Sequence, residues 1–293
     1  MKDQAFLLRE NMNKKKKEKK EDRLPHTIAV ISGKGGVGKS NVSLNFALTM
    51  QKYGKSVLLI DLDIGMANID VLLGSTQKLS IVDFFLHNYE LKHLIQKGPH
   101  NLSFIAGGSG LTNVFQVEKD KVISFLLQLQ TLTNQYDYII FDMGAGITEE
   151  NLQLLLSMNE IFLVTTGEPT SLTDAYSALK IIAAQSINVP FQVIINRALN
   201  EKNAVQTFQR LSTVSKRFIK KDLTLLGFVP DDKYVMSAVM EQKPFTIIYP
   251  SCIASKAIND ITKRYLQLVV SSSQKNNTNF VSKLFQFFLE RKA

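Results

Sequence analysis

One cysteine, Cys252, stands in 293 residues, so no disulfide can form within the chain, as expected of a protein kept in a reducing compartment. A lone thiol also excludes a cysteine-rich metal or iron–sulfur site built from a single chain. The four histidines (His26, His87, His93, His100) show no paired ligand spacing, which argues against histidine-based metal chemistry. No apolar run reaches the roughly 18–20 residues that a membrane-spanning helix requires. The first twenty residues are basic but lack an apolar segment followed by a cleavage site, so a secretory signal is not expected. What remains is ordinary globular composition, 45% hydrophobic and 21% charged, with ample chain to bury a core.

The net charge of +9 is unevenly spread. Residues 1–23 hold nine Lys or Arg against five acids, a net +4. Composition then divides the chain into a lysine-rich arm (1–25) ending at Leu24-Pro25, a body (26–270), a polar linker SSSQKNNTN (271–279) and a last amphipathic segment (280–293). A basic arm on a mildly basic body permits anionic partners and selects none.

Within the body, short Ile-, Val- and Phe-rich runs alternate with longer amphipathic stretches. Strands are predicted at Thr27–Ser32, Ser56–Ile60, Leu102–Ile105, Tyr138–Phe141, Ile161–Thr165, Phe191–Ile195 and Leu225–Val229. Helices are predicted at Asn41–Tyr53, Lys119–Thr133, Leu172–Gln185 and Asn203–Phe218. Non-alternating apolar strands are covered on both faces. The order therefore predicts an α/β protein with a doubly wound, mostly parallel sheet and ligands at the carboxyl ends of its strands.

Directly after the first predicted strand comes Gly33-Lys34-Gly35-Gly36-Val37-Gly38-Lys39-Ser40, then an amphipathic helix. The run fits G-x-x-x-x-G-K-[ST] in the strand–loop–helix setting that gives the pattern meaning. Its glycines let successive backbone N–H groups turn toward phosphate oxygens at a helix N-terminus. Lys39 is placed to reach the terminal phosphates of ATP or ADP, and the Ser40 hydroxyl to hold Mg2+. The second lysine, in KGGVGKS, resembles the deviant phosphate loop of the MinD/ParA class of P-loop ATPases. That resemblance implies that Lys34 reaches the partner's nucleotide in an ATP-bound homodimer, the ADP form being a monomer. It also implies that Lys34 has nothing to pair with inside its own subunit.

Two acidic stretches follow. Asp61-Leu62-Asp63-Ile64-Gly65 closes the second predicted strand, and alternation puts Asp61 and Asp63 on one side of the backbone. The stretch is similar to the first switch of MinD-type proteins, which makes Asp63 the candidate for orienting the attacking water and for metal binding, with Asp61 beside it. The resemblance counts Asp61 with the catalytic residues; the alternative is a turn or capping carboxylate. Tyr138–Phe141 runs into Asp142, an apolar strand ending in an acid, where Mg2+ is held through water. The following Met143-Gly144-Ala145-Gly146-Ile147 resembles the family's second switch, with Gly144 where Pro is common.

For the base, Asn196-Arg197 after one strand and Val229-Pro230-Asp231 after another resemble the family's adenine-binding segments. A side-chain amide offers both donor and acceptor to a purine edge. Thr165-Thr166-Gly167-Glu168-Pro169-Thr170-Ser171 resembles a family stretch of structural or interface role.

The two ends carry further expectations. On a helical wheel Phe280, Val281, Leu284, Phe285, Phe287 and Phe288 share one face. A short, Phe-rich helix followed by Arg291 and Lys292 has the properties of an interfacial lipid anchor, although such helices also pack on their own domain. At the start, Asp3-Gln4-Ala5-Phe6-Leu7-Leu8-Arg9 fits D-Q-A-x-x-L-R, which resembles the N-terminal element of the FlhG (YlxH) family of flagellum-placing ATPases. The resemblance implies that Asp3, Gln4, Ala5, Leu8 and Arg9 activate the GTPase FlhF. It further implies contacts with flagellar basal-body (C-ring) proteins, and a cytoplasmic protein reversibly bound at the inner face of the cell membrane. The cluster Lys216-Arg217-Phe218-Ile219-Lys220-Lys221 could contact phosphates, but a charged helix end is usually solvated, and DNA is not an expected partner.

Overall fold

The computed structural model describes residues 24–63, 68–75, 79–87, 89–108, 119–147, 149–185, 189–272 and 280. Among these are eight strands, all but the third rich in apolar residues: β1 (His26–Ser32), β2 (Val57–Leu62), β3 (Gln96–Lys97), β4 (Ser103–Ile105), β5 (Tyr138–Ala145), β6 (Glu160–Thr165), β7 (Phe191–Ala198) and β8 (Thr224–Pro230). They make one sheet in the order β3-β4-β2-β5-β1-β6-β7-β8. Every pairing is parallel except β3 with β4. The antiparallel edge is an addition to the predicted strand set: β3 is two residues long, too short to show a period in the sequence.

Ten α-helices are described: α1 (Lys39–Lys52), α2 (Ile69–Leu72), α3 (Ile81–His87), α4 (Lys119–Thr133), α5 (Glu149–Ser157), α6 (Pro169–Ala183), α7 (Glu201–Ile219), α8 (Lys233–Met240), α9 (Phe245–Ile248) and α10 (Ile253–Ser272). They cover the sheet as two layers. One face of the strands meets α3 to α7, around residues such as Phe85, Phe141, Leu155 and Leu179. The other meets α1, α8, α9 and α10, around Phe46, Phe162, Ile258 and Tyr265. Sandwiching explains why β1, β2 and β6 are buried almost end to end and why their sequences do not alternate. Phe46, Phe162 and Tyr265 meet edge to face, centroids 5.3–5.5 Å apart.

Several helices begin earlier than periodicity indicated, for local reasons. Asn200 caps α7, its side chain accepting from the Asn203 N–H, and α6 begins at Pro169, where proline's missing donor costs nothing. At the other end α10 runs through Ser272, so the helix enters the segment expected as linker. At the foot of the sheet Glu160 Oε1 accepts from Tyr265 Oη and pairs with His26 Nε2 at 2.6 Å. One buried carboxylate thus joins the start of β1, the start of β6 and α10. Burial, then Glu160, push the Tyr265 phenol well above its ordinary range.

Candidate functional site

β1 lies at the centre of the sheet, between β5 and β6, and its chain passes to β2 on one side while β6 lies on the other. The crevice at such a reversal is where doubly wound sheets bind ligands. The loop 33–38 occupies it and leads into α1. Gly38, the residue before α1, has φ +89°, and a Cβ there would sit 2.3 Å from Asn196 Nδ2. At Gly33 a Cβ would come within 2.1 Å of the Asp174 backbone in α6, so that position admits hydrogen alone.

The charged groups converge beneath the loop. Lys39 Nζ donates to Asp142 Oδ1 at 2.9 Å and lies 3.5 Å from Asp63 Oδ2. Burial lowers the Lys39 pKa, but Asp142 and then Asp63 and Asp61 outweigh it and raise it above the usual ammonium value. Ser43 Oγ donates to the same Asp142 Oδ1 at 2.9 Å, or to the Lys39 carbonyl at 3.1 Å. Ser43 carries no motif signature; its place one helical turn after Lys39 puts it on the same face. The other oxygen, Asp142 Oδ2, is buried with no hydrogen-bond partner among the described residues.

Asp61 pairs with Asp142 across β2 and β5 and is fully buried. Its Oδ1 accepts from the Asp63 N–H, and its Oδ2 from the N–H groups of Asn68 and Ile69. Of the two readings open for Asp61, these bonds match the capping carboxylate rather than a group free to hold water: it fastens the ends of the first acidic stretch, whose residues 64–67 lie outside the described residues. Burial, then Asp142, push its pKa up to about 7. Asp63, half-buried, accepts from Asn68 Nδ2 at 3.1 Å. Burial raises its pKa against the pull of Lys39, with Asp142 adding to the rise. Gly144 faces it, since a Cβ there would stand 3.6 Å from Asp63 Oδ1.

These groups fit magnesium. The donors are carboxylates and the Ser40 hydroxyl, hard oxygens of the kind Mg2+ takes, and Asp142 Oδ2 is a buried acceptor without a donor. Among the described residues no three His, Cys, Asp or Glu side chains form a cage.

Beside the loop a cavity of about 680 Å³ is lined by Gly38, Asn41, Val42, Gly167, Glu168, Asn196, Arg197, Val229, Pro230, Asp231 and Met236, among others. The candidate base-binding segments therefore meet at one place. Asn196 departs from expectation in detail: its Nδ2 donates to the Val37 carbonyl at 2.7 Å, so its amide N–H₂ braces the phosphate loop. Arg197 is exposed with φ +52°. Lys34 also departs. Its Nζ donates to Thr170 Oγ1 at 3.2 Å and lies 3.5 Å from Glu168 Oε2, so it has partners in its own subunit. The pair is exposed and solvent-screened, and holds the lysine weakly.

The terminal candidates are mostly out of view. Asp3, Gln4, Ala5, Leu8 and Arg9, and Val281, Leu284, Phe285, Phe287 and Phe288, lie outside the described residues. Phe280 corrects the lipid-facing set: it is buried in the core, its ring 5.6 Å from that of Phe141, next to Asp142. In the basic cluster, Lys216 pairs with Asp222 at 3.2 Å and Arg217 lies over Phe218. Among the described residues, no helix is long and apolar enough to cross a membrane.

The sequence model of the ParA family, described as "NUBPL iron-transfer P-loop NTPase", matches residues 23–266. The antiactivator FleN of Pseudomonas aeruginosa is 30% identical over 264 residues, covering 90% of this chain and 92% of that one. The flagellum site-determining protein YlxH of Helicobacter pylori is 31% identical, covering 89% of each. Among solved structures, the septum site-determining protein MinD of Pyrococcus horikoshii, complexed with Mg-ADP, superposes with a TM-score of 0.69 at 24% identity, covering 84% of this chain and 98% of that one.

Proposed function

From a chain that belongs to the ParA family, and is a P-loop ATPase with ATP and Mg2+ as its cofactors, we propose a nucleotide-driven switch that sets the number or placement of flagella. One observation carries this reading: a complete phosphate-loop site, second lysine included, on a chain about as similar to FleN as to YlxH along nine-tenths of its length. The iron chemistry in the family description does not suit this chain, because an iron–sulfur site shared by two copies needs two cysteines per chain and this one has one.

In this reading Lys39 leaves Asp142 for the terminal phosphates. The backbone N–H groups of 33–39 cradle the phosphate oxygens; Ser40 and Asp142 Oδ2 would hold Mg2+, which would supply charge neutralisation for those oxygens. Asp63 orients the attacking water. Lys34 leaves Glu168 and Thr170 to meet the nucleotide of a second copy, so ATP favours a homodimer and ADP a monomer. The 680 Å³ cavity takes the base. Residues 280–293 hold the protein reversibly at the inner face of the cell membrane once Phe280 leaves its seat against Phe141, and two anchors per dimer gain avidity. The arm residues Gln4 and Arg9 stimulate the FlhF GTPase, and basal-body proteins are the remaining partners.

Counting flagella tests the core of this reading. Cells lacking the protein and supplied with Lys39→Ala should keep the flagellar number or placement of the deletion, while wild type restores it. A normal count with Lys39→Ala overturns the switch. A peptide of residues 1–20 should accelerate FlhF GTP hydrolysis, and Gln4→Ala should silence it; no acceleration removes the arm from the scheme.

A further inference from the structure

The geometry points to Ser43 as a positioning residue that aims the magnesium-facing oxygen of Asp142. This rests on the nucleotide-site reading above and adds to it a side chain outside the loop motif.

Ser43 is fully buried in the second turn of α1. Its Oγ is 2.9 Å from Asp142 Oδ1, the oxygen that Lys39 also holds at 2.9 Å. Asp142 Oδ2 has no hydrogen-bond partner among the described residues. The carboxylate is therefore held by one oxygen only, from two donors on the same helix. Those donors have different fates. Lys39 serves the phosphates when nucleotide binds, whereas Ser43 is too short to follow and stays. With Lys39 gone, the hydroxyl is what keeps Oδ1 in place and Oδ2 turned away from it. Without that hydroxyl the carboxylate is free to rotate about its Cβ–Cγ bond, and either oxygen competes for the ion's shell. Partners that orient a metal's ligands are commonly worth roughly 10- to 100-fold in metal affinity.

The competing role is local. A helical serine can return its single hydrogen to the carbonyl four residues back, here Lys39 at 3.1 Å, and do nothing else. Titrating full-length protein with ADP separates the two, once in EDTA and once across a Mg2+ series. Ser43→Ala should bind ADP in EDTA as wild type does, yet require roughly 10- to 100-fold more Mg2+ for the same tightening. Ser43→Thr, which keeps the hydroxyl, should follow wild type. A Mg2+ response in Ser43→Ala equal to that of wild type overturns the assignment. An equal loss of ADP affinity in EDTA and in Mg2+ also overturns it, in favour of the helix-local bond. If wild type itself gains nothing from Mg2+, the failure belongs to the nucleotide-site reading instead.

Discussion

Lys39 and Asp142 form a buried ion pair of 2.9 Å across the floor of the phosphate site, so a phosphate that takes the lysine exchanges one anion for another. The exchange sets the expected behaviour of Asp142→Asn, which frees Lys39 and removes the charge offered to magnesium. ADP affinity in EDTA should rise or hold, while the Mg2+ needed for tightening rises by roughly 10- to 100-fold and ATP turnover falls. Paired titrations with and without EDTA check it; weaker binding in EDTA would show that the pair does not compete with phosphate.

Asn196 and Gly38 should behave as one unit. Asn196→Ala removes the bond to Val37 and should cost about 1–3 kcal/mol through the carbonyl left behind, with weaker nucleotide binding. Gly38→Ala meets Asn196 Nδ2 at 2.3 Å and retains φ +89°, a left-handed cost of roughly 1–2 kcal/mol plus the clash. Thermal melts of both singles and the double should be non-additive, the double being less destabilised than the sum. Strict additivity would mean that the amide does not obstruct position 38.

Asp63→Ala should retain ATP binding and lose hydrolysis, which leaves an ATP-bound dimer on sizing chromatography where wild type returns to monomer. Turnover at the wild-type rate would remove Asp63 from water positioning.

Asp61 makes stability depend on pH in a direction opposite to that of an ordinary paired carboxylate. Its folded pKa, about 7, lies above the unfolded value near 3.9, so between the two the folded protein binds more protons. Stability from this group is complete at the acid end and is lost as pH rises toward 7. Asp61→Asn cannot titrate. The difference in melting temperature, wild type minus variant, should therefore shrink from about pH 4 to 7 and level off above. A difference that widens over that range would reverse the sign and the explanation.

Phe280 is seated in the core, whereas Phe285 and Phe288 are expected to meet lipid. Phe280→Ala gives up contacts of the kind worth about 3–5 kcal/mol for a fully buried Phe. It should raise vesicle pelleting in ADP, because the terminal segment is no longer held down. Phe285→Ala and Phe288→Ala should lower pelleting in ATP. No rise in ADP together with loss of pelleting in ATP would assign that ring to lipid instead.

The sheet and its loop were legible because their signals are local. Ile28–Ile31 is continuously apolar, the glycines follow within two residues, and the lysines sit at fixed steps. Less legible was anything set by a partner far along the chain. The family resemblance assigns Asn196 to a base, yet its Nδ2 meets Val37, 159 residues away. Lys34 read as unpaired because Glu168 and Thr170 become its neighbours only when α6 packs against Gly33. The face shared by Phe280 and Phe285 on a wheel tells which residues travel together; it does not say what they meet. Ser43 was silent for a simpler reason: a serine in a helix has many uses, and only the approach of β5 assigns it one.

Asp232 closes two helices with one side chain. Its Oδ1 accepts from the Tyr234 N–H at the start of α8, and its Oδ2 from the Ala254 N–H at the start of α10. The first of those helices forms a wall of the 680 Å³ cavity; the second descends to the Glu160 junction beneath β1. Neither helix can shift alone without stranding N–H groups that have no intrahelical acceptor. A load on Val235 or Met236, in the helix that lines the cavity, is therefore shared with α10 through that one carboxylate.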